Sequence, residues 1–73
     1  MPDLSSRLRD LRKLKGDTQE KLSNFLGVTA QAYPKYEYGL RKPNLETTIK
    51  LANYFNVSVD YLLGLTDNPE RNL

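Results

Sequence analysis

Cysteine, histidine and tryptophan are all absent from this chain of 73 residues. Without cysteine no disulfide framework and no thiolate metal site can form. Without histidine the usual zinc sites and imidazole acid–base chemistry are also excluded. Catalysis would have to rest on carboxylates, lysines or tyrosines, and no clustered pair of these stands out. The expectation is therefore no enzyme, no catalytic residue, no metal, no cofactor and no small-molecule substrate. No apolar run approaches the roughly 18 residues needed to span a bilayer, so no membrane partner is expected. The opening Met1-Pro2-Asp3-Leu4 has no signal-peptide pattern. These absences leave a small cytoplasmic domain that binds something.

Hydrophobic residues make up 38% of the chain and charged residues 27%, which suits a folded domain rather than a disordered segment. A chain of this length buries roughly 60% of its unfolded surface, enough for one small core. The net charge is only +2, but it is unevenly spread. Residues 1–42 carry nine Lys/Arg against five acids, a net of +4, whereas residues 43–73 carry two against four, a net of −2. One basic half on a small domain suits a face that meets a polyanion.

The punctuation of the sequence is that of an all-helical protein. Gly16, Gly27, Gly39 and Gly64 each end a run, where helix-terminating glycines belong. Thr18, Thr29, Asn44 and Ser58 each precede a run, where N-caps belong. Together they predict helices over 4–15, 19–26, 30–38, 45–55 and 59–63. In the first, Leu4, Leu8, Leu11 and Leu14 form one stripe, with Arg and Lys on the other face. Leu22, Phe25 and Leu26 point inward from the second. Leu45, Ile49, Leu51, Ala52 and Phe55 do so from the fourth, and Val59, Leu62 and Leu63 from the fifth. No stretch alternates as a half-buried strand would. Residues 1–66 form the expected domain, and 67–73 read as a polar tail, frayed or opening a linker.

The second and third predicted helices are separated only by Gly27, Val28 and Thr29. So tight a turn sets two helices at a large angle, as in a helix-turn-helix. In the third helix, Gln31 can pair bidentately with adenine, Lys35 can reach guanine or a phosphate, and Ala30 can touch a thymine methyl. Arg41 and Lys42 sit in a polar loop suited to phosphate. Tyr33 and Tyr36 read as core, while Tyr38 faces outward with its hydroxyl within reach of a phosphate. The Arg/Lys run of the first helix reads as a solvated face.

These pieces carry a resemblance. Thr18-Gln19-Glu20-Lys21-Leu22-Ser23, Leu26-Gly27-Val28-Thr29, Tyr36-Glu37-Tyr38-Gly39, Arg41-Lys42-Pro43 and Val57-Ser58-Val59-Asp60-Tyr61-Leu62-Leu63-Gly64 resemble the Xre/Cro/CI-type helix-turn-helix family. The resemblance runs from about residue 4 to 66. It implies an all-α, five-helix lambda-repressor-like domain whose third helix lies in the major groove of double-stranded DNA. It further implies a phosphate contact at Gln19, an Arg12–Glu37 pair and operator binding as a homodimer, whose contact surface is expected on the acidic half around helices 4 and 5 because the basic half is needed for phosphate. The expected DNA-binding residues are thus Gln19, Thr29, Ala30, Gln31, Lys35, Tyr38, Arg41 and Lys42. The function so implied is a sequence-specific transcription regulator of the repressor kind. A protein-interaction or antitoxin-like module on the same fold is the alternative.

Pro34 departs from the pattern. A proline inside a helix loses a hydrogen bond and clashes with the preceding turn, at a cost of about 3 kcal/mol. The expectation is a third helix that is irregular over 30–34 or begins late, with Tyr33 pushed toward extended backbone. Pro34→Ser is accordingly expected to stabilise, by up to about 3 kcal/mol.

Overall fold

Asp3 opens the first helix. Its carboxylate accepts the Ser6 amide at 3.0 Å, while the Asp3 amide donates to the Ser6 hydroxyl at 3.1 Å, closing a capping box. The computed structural model describes residues 2–71 and contains five helices: α1 (Leu4–Lys15), α2 (Gln19–Leu26), α3 (Ala32–Glu37), α4 (Leu45–Phe55) and α5 (Val59–Leu62). No strand occurs among the described residues. Thr18, Asn44 and Ser58 cap α2, α4 and α5, each accepting the amide three residues ahead. Gly27 ends α2 in the left-handed conformation at φ 71°, where its N–H reaches back to the last turn.

Thr29 does not cap α3. The N-cap is Gln31, which makes no side-chain cap bond, and the helix starts two residues later than its periodicity predicts. Pro34 is the reason. It occupies the third position of α3, within the first turn, whose amides have no intrahelical acceptor. The missing N–H therefore breaks no helix bond, and the interior penalty does not arise. Residues 29–32 close instead as a turn, with the Ala32 amide donating to the Thr29 carbonyl at 3.0 Å. Tyr33 stays helical despite the following proline, because its fully buried ring and its bonded amide hold it there.

The α1 helix packs on α3 and α5, α2 packs on α3, and α4 packs on α5. Leu8, Leu22, Tyr33, Tyr36, Leu51, Ala52 and Leu62 meet at the centre. Several residues expected inside are not. Leu14 is 87% exposed, although Lys15 beside it still lies over the Tyr54 ring. The buried side of α4 is Thr48, Leu51 and Ala52, which leaves Leu45 and Ile49 outside. Phe25 and Leu63 are likewise exposed, although the Phe25 ring lies tilted against Tyr54 with centroids 4.6 Å apart.

Arg7, read from sequence as part of a solvated face, is buried. Its guanidinium lies 3.8 Å from the Tyr61 ring centre and donates to the carbonyls of Tyr61 and Thr66 and to the Asp67 carboxylate. The Ser58 amide donates to the Pro69 carbonyl at 3.0 Å, and Arg71 bonds Asn53. Residues 66–71 are thus tied against α1, α4 and α5. Asn72 and Leu73, the end of the expected tail, lie outside the described residues. Gly64 adopts φ 80°, and a Cβ there would meet the Pro2 carbonyl oxygen at 2.3 Å, so the approach of the two ends requires glycine.

Candidate nucleic-acid interface

The α3 helix has two sharply different faces. Tyr33, Tyr36 and Glu37 are buried, while Gln31, Lys35 and Tyr38 are exposed at helical spacing, with Ala30 exposed in the turn just before and Pro34 half-buried among them. An exposed face carrying an amide, a cation and a phenol, on a helix of six residues held by two core tyrosines, is a presented surface. Thr29, Ala30 and Gln31 lie on its leading turn rather than inside the helix.

The C-terminal end of α3 is fixed by charge. Glu37 is only 3% exposed. Arg12 grips its carboxylate with two bonds, Nε to Oε2 at 2.7 Å and Nη2 to Oε1 at 3.1 Å, and donates a third to the Asp17 carbonyl at 3.1 Å. The expected Arg12–Glu37 pair is therefore present and bidentate. Burial alone would push the Glu37 carboxyl up, but the hydrogen bonds of its neighbours, Arg12 foremost, outweigh it and hold that carboxyl below its ordinary range. The same bond pushes the Arg12 guanidinium up. The Tyr33 hydroxyl feels the Glu37 charge without completing a hydrogen bond of normal geometry, and burial pushes its ionisation up.

Gln19, the first residue of α2, joins this cluster. Its Nε2 donates to Glu37 Oε1 at 3.1 Å, which leaves the second amide hydrogen uncommitted to that carboxylate. Nearby, the Asp17 carboxylate accepts the Tyr54 hydroxyl at 2.5 Å and the Lys21 ammonium at 3.0 Å, tying the α1–α2 junction to α4. Those two bonds, that of Tyr54 first, hold the Asp17 carboxyl low.

A groove of about 430 Å³ runs beside this cluster, lined by Arg9, Arg12, Lys13, Thr18, Gln19 and Tyr38 among others. It unites Gln19 with Tyr38 and brings in Arg9 and Lys13, which the sequence reading set aside as a solvated face. Their i, i+4 spacing on α1 was the available signal. Arg41 and Lys42 lie elsewhere, on a second groove with Ser5, Gly39 and Leu63. Lys35, Arg41 and Lys42 form no ion pair among the described residues. The exposed face of α3 is therefore accompanied by two separate sets of cations.

The structure also assigns a place to Ser23, which the sequence reading passed over. Fully buried on α2, it bonds both the Ala30 carbonyl and the Tyr33 amide. Nothing in the sequence pointed to it, because its partners depend on where α3 begins.

A family model described as helix-turn-helix matches residues 8–62. The uncharacterized HTH-type transcriptional regulator YobD of Bacillus subtilis (strain 168) is 45% identical over 64 residues, which are 88% of this chain and 57% of that protein. The cryptic phage CTXphi transcriptional repressor RstR of Vibrio cholerae is 41% identical over 60 residues, covering 82% of this chain and 54% of its own. The chain spans about half the length of the curated relatives it matches. Among solved structures, the P22 c2 repressor protein in complex with a synthetic operator aligns with a TM-score of 0.79 at 30% identity, over 86% of this chain and 96% of that one.

Proposed function

Because this chain belongs to the Xre/Cro/CI-type helix-turn-helix family, we propose that it is a sequence-specific DNA-binding regulator that represses transcription in the cytoplasm and carries no enzymatic activity. The observation that carries this reading is the exposed face of α3, with Gln31 and Lys35 projecting from a helix whose other face is locked into the core. Placed in the major groove, Gln31 can pair with adenine N6 and N7, Lys35 with guanine O6 or N7, and Ala30 can meet a thymine methyl. Gln19 uses its second amide hydrogen on a phosphate, and Thr29 and Tyr38 offer hydroxyls to the same strand. Arg41 and Lys42 hold the backbone on the other side, and Arg9 and Lys13 extend the first set of contacts along α1. Such contacts position the protein, and the α3 side chains specify the sequence.

The chain acts as a homodimer on DNA. The α4–α5 side supports this, because it exposes Leu45, Ile49, Leu63 and Leu65 and carries the acidic balance of the chain. Two copies joined there present two α3 helices to half-sites roughly 34 Å apart.

The test is selection of duplexes from a random pool by the chain, followed by titration at several salt concentrations. Enrichment of a two-fold related sequence, bound by two chains and with affinity falling steeply as salt rises, is expected. Failure to enrich any sequence, with no salt-dependent binding to duplex DNA, would replace this reading with an interaction module on the same fold.

A further inference from the structure

Pro34 has no amide to offer the Ala30 carbonyl of the turn before α3, and a side chain of α2 serves that carbonyl instead. In a regular helix starting at residue 30, the amide of residue 34 would donate to the Ala30 carbonyl, and the Tyr33 amide to the Thr29 carbonyl. Proline has no amide hydrogen to give. In this chain the Ala30 carbonyl accepts the Ser23 hydroxyl at 3.3 Å, and the same hydroxyl oxygen accepts the Tyr33 amide at 3.3 Å. One hydroxyl thus spends its donor and an acceptor site at the two ends of the segment 30–33. Between those bonds lies Gln31, exposed and unsupported by any side-chain cap of its own. Ser23 itself is fully buried, so it cannot touch a nucleic acid.

We propose that Ser23 is a positioning residue for base discrimination: its hydroxyl replaces the hydrogen bond that Pro34 cannot make, and so fixes the turn carrying Ala30 and Gln31. The inference deepens the DNA-binding reading above and rests on it for its consequence, though not for its geometry. Ser23 and Pro34 then form one unit, in which either residue makes sense only given the other. Without that turn, a serine hydroxyl at that depth would be left with the carbonyl one turn back on α2 as its acceptor. A proline at that place would otherwise leave the Tyr33 amide and the Ala30 carbonyl with no protein partner.

A double-mutant cycle tests this in the full chain. Ser23→Ala removes one oxygen and little volume. The variant should lose roughly three- to tenfold in the ratio of affinity for the selected duplex over random duplex, the effect of about one net hydrogen bond. Its salt slope should not change, because the phosphate-facing cations lie on other elements. Amide exchange at Tyr33 should speed up relative to the core amides of α2. Pro34→Ala supplies an amide hydrogen at residue 34 and lets the helix start at residue 30. In the Ser23→Ala/Pro34→Ala double variant, both the affinity ratio and the Tyr33 protection should therefore return close to native. Additive losses, or a Tyr33 amide that exchanges in Ser23→Ala as it does natively, would overturn the proposal. If no duplex is enriched at all, the DNA-binding reading falls, and Tyr33 exchange across the four chains still decides the role of Ser23.

Discussion

The two ends of α3 are held by different physics. The C-terminal end is locked by a buried, bidentate ion pair between Arg12 and Glu37, with Gln19 and the tyrosine core around it. The leading end is held by the buried Tyr33 ring, one serine hydroxyl and a 3.0 Å turn bond, and has no cap. Charge burial is costly to break because either partner left alone is a stranded ion. A neutral hydrogen bond contributes about 1 kcal/mol net. In the proposed DNA-binding reading, overall affinity, drawn from phosphate contacts around the firm end, is thereby separated from discrimination, drawn from the turn before α3.

The largest break is expected at the firm end. Arg12→Ala strands the buried Glu37 carboxylate and should cost about 3–5 kcal/mol, read as a large drop in the thermal or urea midpoint. An unchanged midpoint would mean that the pair is not what fixes α3.

The pH dependence sharpens the same point. Glu37 and Asp17 both have carboxyls held low in the folded chain. Such groups contribute stability above their unfolded pKa of about 4, and lose it as pH falls through the lower folded value. The thermal midpoint should therefore be nearly flat from about pH 7 to 5 and decline below about pH 4. Arg12→Ala removes the foremost of the groups that hold Glu37 low, while Gln19 still donates to it, so burial weighs more and the Glu37 carboxyl rises. The decline of that variant below about pH 4 should therefore be shallower than the native one, because less of its stability depends on an ionised Glu37. An acid-side decline as steep as the native one would contradict the assignment.

A smaller effect separates positioning from reading. Arg41→Ala and Lys42→Ala should each reduce the salt slope of DNA binding by about one, while leaving the ratio of selected to random affinity close to native. A change in that ratio with no change in slope would move these residues from the backbone to the bases.

The smallest effect is expected at Pro34. Read from sequence as a helix-interior proline, it promised up to about 3 kcal/mol on replacement. At the third position of α3 it breaks no helix bond, and Ser23 already serves the groups it leaves. Pro34→Ser should thus shift stability by no more than about 1 kcal/mol, measurable as a small change in the urea midpoint.

Helix order, three of the caps and the inward tyrosines were legible because periodicity and capping are local properties of the sequence. The Arg12–Glu37 pair came from resemblance and was matched by geometry. What was not legible depended on which neighbour covers a surface. Leu14 continues the leucine spacing of α1 but faces outward, and Leu45 and Ile49 flank a buried side of α4 that begins with Thr48. Arg7 was hidden for the opposite reason, since its ring, carbonyl and carboxylate partners lie more than fifty residues ahead. Pro34 was legible as the irregular point of α3, whereas its low cost was not, because that depends on the helix starting later.

The central claim is that the exposed face of α3 reads bases while the surrounding cations hold phosphate. The most direct measurement is the affinity of Gln31→Ala for the selected duplex and for random duplex, each across a range of salt concentrations. Binding to the selected duplex should weaken roughly five- to hundredfold, the loss of about one bidentate base contact, with random-duplex affinity and the salt slope unchanged. Equal weakening on both duplexes, or no weakening on either, would contradict it.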